Sequence, residues 1–335
     1  MARVAVLGAG SWGTALGNHL RRAGHEVVLW GQELDVLRAI SERSENPKYF
    51  PGQKLASGLE TGSELSEVVK GADAVVISVP SSAVRSVAEK LKTVLDGSPL
   101  IVSTAKGLED DSLKTMSVVL TEALGSDDKI AVLTGPSFAL EVMQGLPTAV
   151  TVSSHNEQTR EEVAKLFHHG NFRVYTLADV VGAELGGVFK NVIAIAAGVG
   201  DTANMGLNGR AALITRGLAE MERLVVALGG ESSTVAGLSG LGDLFLTATG
   251  DLSRNRRVGM GLGRGEKLEE ILDGLGQVAE GVMTTPKILA LARQNNVSVP
   301  ITEEIDRLLR GESNVKESLA ALLSRSRRSE RKQEN

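Results

Sequence analysis

Residues 4–13 read Val4-Ala5-Val6-Leu7-Gly8-Ala9-Gly10-Ser11-Trp12-Gly13, an apolar run leading directly into a Gly-x-Gly-x-x-Gly turn. Gly8 lets the chain turn off a strand, Gly10 keeps a Cβ out of the path of an approaching phosphate, and Gly13 lets the next helix pack closely on that strand. The helix start then offers unpaired N–H groups and a positive dipole end to a diphosphate. Alone, the pattern is weak. Its setting strengthens it, because 14–22 continues as a helix and 26–30 is a second short apolar strand, which completes a βαβ unit. A glycine-rich turn of some other doubly wound protein is the competing reading.

Outward from this unit, strands and helices alternate. Segments 72–79, 99–104, 129–133, 148–152 and 172–176 read as strands, and 35–44, 82–95, 113–124 and 157–168 as helices. Between them, 45–58, with Pro47, Pro51 and Gly52, reads as an irregular loop. Near-continuous Val/Ile runs bounded by helices predict parallel strands covered on both faces. Past about residue 180 such runs stop, and helices are expected at 180–199, 209–228, 235–248, 268–273, 284–294, 302–310 and 315–324. The expected fold is therefore α/β, a Rossmann-like doubly wound and mostly parallel sheet over 1–179 that binds the dinucleotide. An all-α substrate-binding domain over 180–335 follows, its charged end from about 325 expected to be disordered.

Two domains also suit the length, since 335 residues exceed what one core usually organises. A net charge of −5 asks for neither nucleic acid nor an anionic membrane as partner. With no cysteine, disulfides, thiolate metal sites and a thiol nucleophile are excluded. No basic and apolar leader stands ahead of the first strand, so a cytoplasmic location is expected. The apolar segment 180–200 is interrupted by Glu184, Lys190 and Asn191 and reads as too polar and too short to span a bilayer; a buried helix is expected instead. A homodimer is the expected assembly, with 209–228 able to bury either a dimer face or the domain core.

Ligands of open α/β sheets sit outside the carboxyl ends of the strands, so the strand ends carry the candidate sites. Thr104-Ala105-Lys106-Gly107 brings a cation suited to an oxyanionic ligand, or a solvated loop lysine. Thr134-Gly135-Pro136-Ser137-Phe138-Ala139 leaves amides and the Ser137 hydroxyl available, or is an ordinary capped turn. At the end of the second strand, Leu29-Trp30-Gly31-Gln32-Glu33 places neither an acid nor a base directly at the strand end; Glu33 lies at about the right distance for the ribose or else points to solvent, and the choice between NAD and NADP stays open.

In the helical half, Lys190-Asn191 interrupts a Gly- and Ala-rich run. Desolvation there favours the neutral amine and makes Lys190 a candidate general acid/base; a lysine snorkelling to water is the alternative. Asp243, within Gly240-Leu241-Gly242-Asp243-Leu244, needs a partner if buried, and Lys190 is the natural one. Ser253-Arg254-Asn255-Arg256-Arg257 offers a hydroxyl, a guanidinium, an amide and a helix start to one phosphate, or forms a basic surface turn.

These blocks, together with Leu185-Gly186-Gly187-Val188-Phe189-Lys190-Asn191 and Pro300-Ile301-Thr302-Glu303-Glu304, closely resemble the bacterial NAD(P)-dependent glycerol-3-phosphate dehydrogenases, in order and from about residue 4 to 327. The resemblance implies reversible hydride transfer between NAD(P)H and dihydroxyacetone phosphate, giving sn-glycerol 3-phosphate for phospholipid synthesis, with no metal required. It implies Lys190 as proton donor and acceptor, Asp243 as the group holding it, and Lys106 between substrate and nicotinamide. Gly135, Ser137, Asn191, Thr247, Ser253, Arg254 and Asn255 would line the substrate site. Gly8, Gly10, Ser11, Trp12, Gly13, Gln32, Tyr49, Lys106, Ala139, Arg254, Val278 and Glu280 would contact the dinucleotide. One departure is visible: the position after the second strand, often basic in the family, is Gln32, which puts the 2′-phosphate contact in question. Two rival functions remain at this level, a dehydrogenase of hydroxy acids or hydroxyacyl thioesters, and a non-catalytic nucleotide sensor.

Overall fold

The computed structural model describes residues 1–275 and 278–326. Eight strands, β1 (Arg3–Leu7), β2 (Glu26–Trp30), β3 (Glu60–Gly62), β4 (Ala74–Ile77), β5 (Leu100–Ser103), β6 (Ile130–Thr134), β7 (Thr148–Ser153) and β8 (Phe172–Leu177), form one sheet in the order β3-β2-β1-β4-β5-β6-β7-β8. The chain leaves β1 first toward β2 and later toward β4, so strand order reverses at β1 and opens a crevice at its carboxyl end. Side-chain alternation divides the strands between two cores. Val4, Val6, Val76 and Val102 enter one, and Ala5, Leu7, Val75, Ile77 and Ile101 the other, which is why these runs are apolar throughout.

Two features depart from the sequence expectation. β3 is a three-residue edge strand, Glu-Thr-Gly, with no apolar alternation to announce it. β7 runs antiparallel to β6, carrying β8 with it. The connecting helix Ala139–Gln144 has six residues, about 9 Å at 1.5 Å per residue. That is shorter than the strand it would have to retrace, so the chain returns in the opposite direction.

The helical half is built around Val180–Thr202, whose residues are buried almost without interruption. At 23 residues this helix is long and apolar enough to cross a membrane, contrary to the sequence reading of it as too short and too polar. Its placement decides the matter, because 94% of its most apolar window lies inside the structure. The helix Arg254–Gly263 packs on it backbone to backbone: a Cβ on Gly198 would lie 2.0 Å from the Arg256 carbonyl oxygen, and one on Gly259 1.9 Å from that of Ile195. The sequence marked only the start of this second helix, since three glycines in ten residues argue against helix on propensity. The helix expected over 235–248 is divided into Ser232–Val235, a wider π-turn Leu238–Gly242 and Asp243–Thr249. The charged end from 327 lies outside the described residues.

The loop after β5 crosses into the helical half. Leu108 is fully buried in the helical core, and Lys287 of the helix Glu280–Gln294 donates to its carbonyl (2.8 Å) and pairs with Asp110 (2.6 Å). Buried Glu184 accepts from the Ser117 amide (2.9 Å) and hydroxyl (2.5 Å) at the start of the helix Met116–Leu124.

Candidate active site

A cleft of about 790 Å³ lies between the sheet's carboxyl edge and the helical half. On the sheet side, Gly8 has φ +119°, a conformation open to glycine, and its N–H donates to the Trp30 carbonyl (2.9 Å). A Cβ on Gly13 would stand 1.8 Å from the Gly8 carbonyl oxygen, so the helix Ser11–Arg22 can start this close only with glycine there. Gly10 faces open space, with nothing within 4 Å of where its Cβ would be. No side chain caps the helix and no acid occupies its first turn. Room, free amides and a positive dipole end therefore meet at one point, which fits a diphosphate.

Asn46, absent from the sequence-derived candidates, fixes this turn. Fully buried, it donates to the Ala9 carbonyl (3.2 Å) and to Thr14 Oγ1 (2.9 Å), and its Oδ1 accepts from the Tyr49 amide (3.4 Å). It stands 37 residues from Ala9 in a loop without periodicity, so no spacing rule reaches it.

The two halves meet at a pair of lysines. Lys190 Nζ lies 2.5 Å from Asp243 Oδ1 and 3.0 Å from Thr247 Oγ1; Lys106 Nζ lies 2.6 Å from Asp243 Oδ2 and 3.1 Å from the Gly135 carbonyl. Asp243, 1% exposed, sits behind both ammonium groups and does not line the cleft, whereas the lysines do. Burial pushes Lys190 down to about 8, Asp243 pulling the other way and Lys106 adding to the fall. Two ammonium groups on one carboxylate leave a surplus positive charge at the cleft surface.

Ser253 caps the helix Arg254–Gly263, its oxygen accepting from the Arg256 amide (3.2 Å), which leaves its hydroxyl proton and the first-turn amides for a ligand. Asn255 Nδ2 donates to Asn191 Oδ1 (2.9 Å), and Asn255 Oδ1 accepts from the Gly281 amide (2.9 Å). Arg254 lines the cleft, while Arg256 is engaged with Asp201 (2.7 Å) and Asp251 (2.8 Å). Desolvation raises the Glu280 carboxyl above its ordinary range against the pull of Arg254, Lys190, Lys106 and Lys287.

The remaining candidates fall into place around these groups. Ser11, Trp12, Gln32, Tyr49, Ser137, Ala139, Thr247 and Val278 all line the same cleft. Gly13 and Gly135 do not; the first packs beneath Gly8 and the second, at φ +116°, offers its carbonyl to Lys106. The Ser137 hydroxyl donates to that carbonyl as well (3.0 Å).

The model of the NAD-dependent glycerol-3-phosphate dehydrogenase N-terminus matches residues 3–160, and that of the C-terminus matches 179–320. The chain belongs to this family. It is 46% identical to glycerol-3-phosphate dehydrogenase [NAD(P)+] of Stenotrophomonas maltophilia over 98% of this chain and 96% of that one. The like-named protein of Moorella thermoacetica is 49% identical over 97% and 96%. Among solved structures, glycerol-3-phosphate dehydrogenase from Coxiella burnetii superposes with a TM-score of 0.91 at 39% identity, covering 97% of this chain and 99% of its own. As a glycerol-3-phosphate dehydrogenase family member, the chain is an NAD(P)-dependent dehydrogenase. The family signature also leaves several structural supports unmarked. Besides Asn46, these include Ser239 of the π-turn, hydrogen-bonded to Thr134 (2.7 Å) and Thr151 across the junction, and Lys287, which reaches from its helix to the Leu108 carbonyl in the loop after β5.

Proposed function

We propose that this chain catalyses reversible hydride transfer between NAD(P)H and dihydroxyacetone phosphate, yielding sn-glycerol 3-phosphate for glycerophospholipid synthesis. The observation that carries the mechanism is the buried carboxylate of Asp243 shared by Lys190 and Lys106 at the seam of the two halves. We take 1–179 as the dinucleotide domain and 180–335 as the substrate domain, since the last strand ends at Leu177 and the long helix begins at Val180.

The nicotinamide, when bound, supplies the hydride in one direction and receives it in the other. The residues of the chain handle everything else. Gly8, Gly10, Ser11 and Trp12 hold the diphosphate, with Gly13 letting the helix start pack beneath Gly8; Gln32 and Tyr49 flank the adenosine end, and Ala139, Val278 and Glu280 lie farther along the cleft. Ser253, Arg254 and Asn255 take the substrate phosphate, which fixes the three-carbon chain at a distance from the reacting carbon. Asn191, bonded to Asn255, and Thr247, bonded to Lys190, steady the two ends of that grip. Ser137 borders the substrate, and Gly135, set back from the cleft, holds Ser137 and Lys106 through its carbonyl. As charge develops on the C2 carbonyl oxygen, protonated Lys190 stabilises it and then gives up its proton; in oxidation the same amine, neutral, removes the hydroxyl proton. Asp243 keeps both ammonium groups aimed, and Lys106 lends the second positive charge.

An assay following reduced-nicotinamide absorbance with dihydroxyacetone phosphate against an acetoacetyl thioester tests the reading. Turnover of the phosphate ester alone is expected. Turnover of the thioester alone would reassign the substrate, and tight dinucleotide binding without any turnover would make the chain a sensor. The substrate domain's phosphate grip has no task on a thioester, which favours the first outcome. Cytoplasmic residence and a homodimer complete the proposal, the latter checked by light scattering on the purified chain. The helix Gly206–Ala227 turns Leu213, Met221, Leu224 and Val225 into the core of the helical half and leaves Leu207 and Val226 exposed.

A further inference from the structure

At the adenosine end of the cleft, the end of β2 is followed by Gly31, Gln32 and Glu33. Gly31 has no side chain and Gln32 no charge. The Glu33 carboxylate lines the cleft and is held there from two sides, Oε2 lying 2.7 Å from Lys48 Nζ and Oε1 3.4 Å from the Tyr49 hydroxyl. Tyr49 is in turn tied to the glycine turn through Asn46, so the position of this carboxylate is coupled to the site of the diphosphate.

We propose that Glu33 sets the dinucleotide preference of this enzyme: pinned by Lys48 and Tyr49, it accepts hydrogen bonds from the adenosine ribose hydroxyls and repels a 2′-phosphate, so the enzyme takes NADH over NADPH. The inference deepens the proposed dehydrogenase function and rests on it. Among the described residues lining this end of the cleft, Lys48 is the cation beside Glu33, and Glu33 already engages it. Asp35, whose charge Lys48 also feels, is a second acid nearby. Counting Glu33, Asp35 and Lys48 gives a local charge of −1 against a phosphate dianion. A ribose diol, being neutral and a donor, meets acceptor oxygens instead. Arg254, the other cation within reach of Tyr49, faces Glu280.

The test is equilibrium binding without substrate, read from nicotinamide fluorescence, for NADH and NADPH with the wild-type chain and Glu33→Gln. Glu33 and Lys48 are 43% and 52% exposed, so the amide replaces a surface ion pair and the fold survives. In the wild type, Kd for NADPH is expected to exceed Kd for NADH by about tenfold or more, ~1.4 kcal/mol. In Glu33→Gln the ratio is expected to fall to near unity, both because the like charge is gone and because Lys48 is released toward the phosphate. A wild-type ratio below about tenfold, or one that Glu33→Gln leaves in place, overturns the assignment. If that happens while dihydroxyacetone phosphate is still reduced, the dehydrogenase reading stands and only the role of Glu33 falls. If neither dinucleotide binds, both fall.

Discussion

An ammonium buried beside a second ammonium gives up its proton more readily than one in water, and Asp243 only partly restores the balance at Lys190. With Lys190 near 8, reduction of the ketone needs the protonated form, so its rate should be flat below about pH 8 and fall above it. Oxidation needs the neutral amine and should rise through the same pH to a plateau. Lys190→Ala should remove this titration from both profiles and lower turnover by about 10²–10⁴, while the dinucleotide, held on the other side of the cleft, keeps its affinity. A pH profile that survives the substitution would take Lys190 out of the chemistry. At this scale the sequence was informative where a residue contradicts its surroundings. Lys190 interrupts an apolar run and Asp243 lies among glycines and leucines, so each announces a need for the other. That Lys106 shares the same carboxylate, 137 residues from Asp243, depends on how the two halves meet and leaves no mark on spacing.

Elements whose stability comes from their own pattern were legible, and those that depend on a neighbour were not. β1, β4 and the long helix 180–202 show as apolar runs, whereas β3 exists by pairing with β2 and the direction of β7 by the shortness of the preceding helix. The helix Arg254–Gly263 is the sharpest instance: its glycines weaken it in isolation yet let it lie against the central helix. Gly259→Ala would drive a methyl into the Ile195 carbonyl and should cost about 3 kcal/mol or more in urea unfolding. Gly274→Ala meets nothing within 4 Å and should be neutral or stabilise by about 0.5–1 kcal/mol; equal effects would contradict the packing argument. A second element-level effect is electrostatic. Glu220, 1% exposed, accepts from the Ile301 (2.7 Å) and Thr302 (3.2 Å) amides at the start of the helix Pro300–Leu309, and burial raises it to about 7. The folded chain thus binds this proton more tightly than the unfolded one. The stabilisation is complete below about pH 4.5 and lost as pH rises through about 7, on the order of 3 kcal/mol in all. Glu220→Gln should flatten that part of the melting-temperature profile.

Across the whole molecule, the halves are joined by more than the linker at 178–179. Leu108 from the sheet half is buried in the helical core, Glu184 of the long helix takes the N-terminus of Met116–Leu124, and the Ser239 hydroxyl bonds to Thr134 and Thr151. None of these ties could be read in advance, because each joins segments whose sequences satisfy their own elements equally well without it. They also hold in place the two walls that carry Lys106 and Lys190, so the geometry of the site and the cohesion of the molecule depend on the same seam. A single cooperative unfolding transition follows for the wild-type chain. Leu108→Ala empties a fully buried position and should cost about 2–5 kcal/mol, with a consequence beyond lowered stability. The loss falls on the contact between halves, so calorimetry should show the transition broadening or dividing, the two parts melting separately. The activity of the folded fraction should drop at the same time, since the loop bearing Leu108 also bears Lys106. A variant that melts in one sharp transition within about 0.5 kcal/mol of wild type would mean that the halves cohere without this side chain.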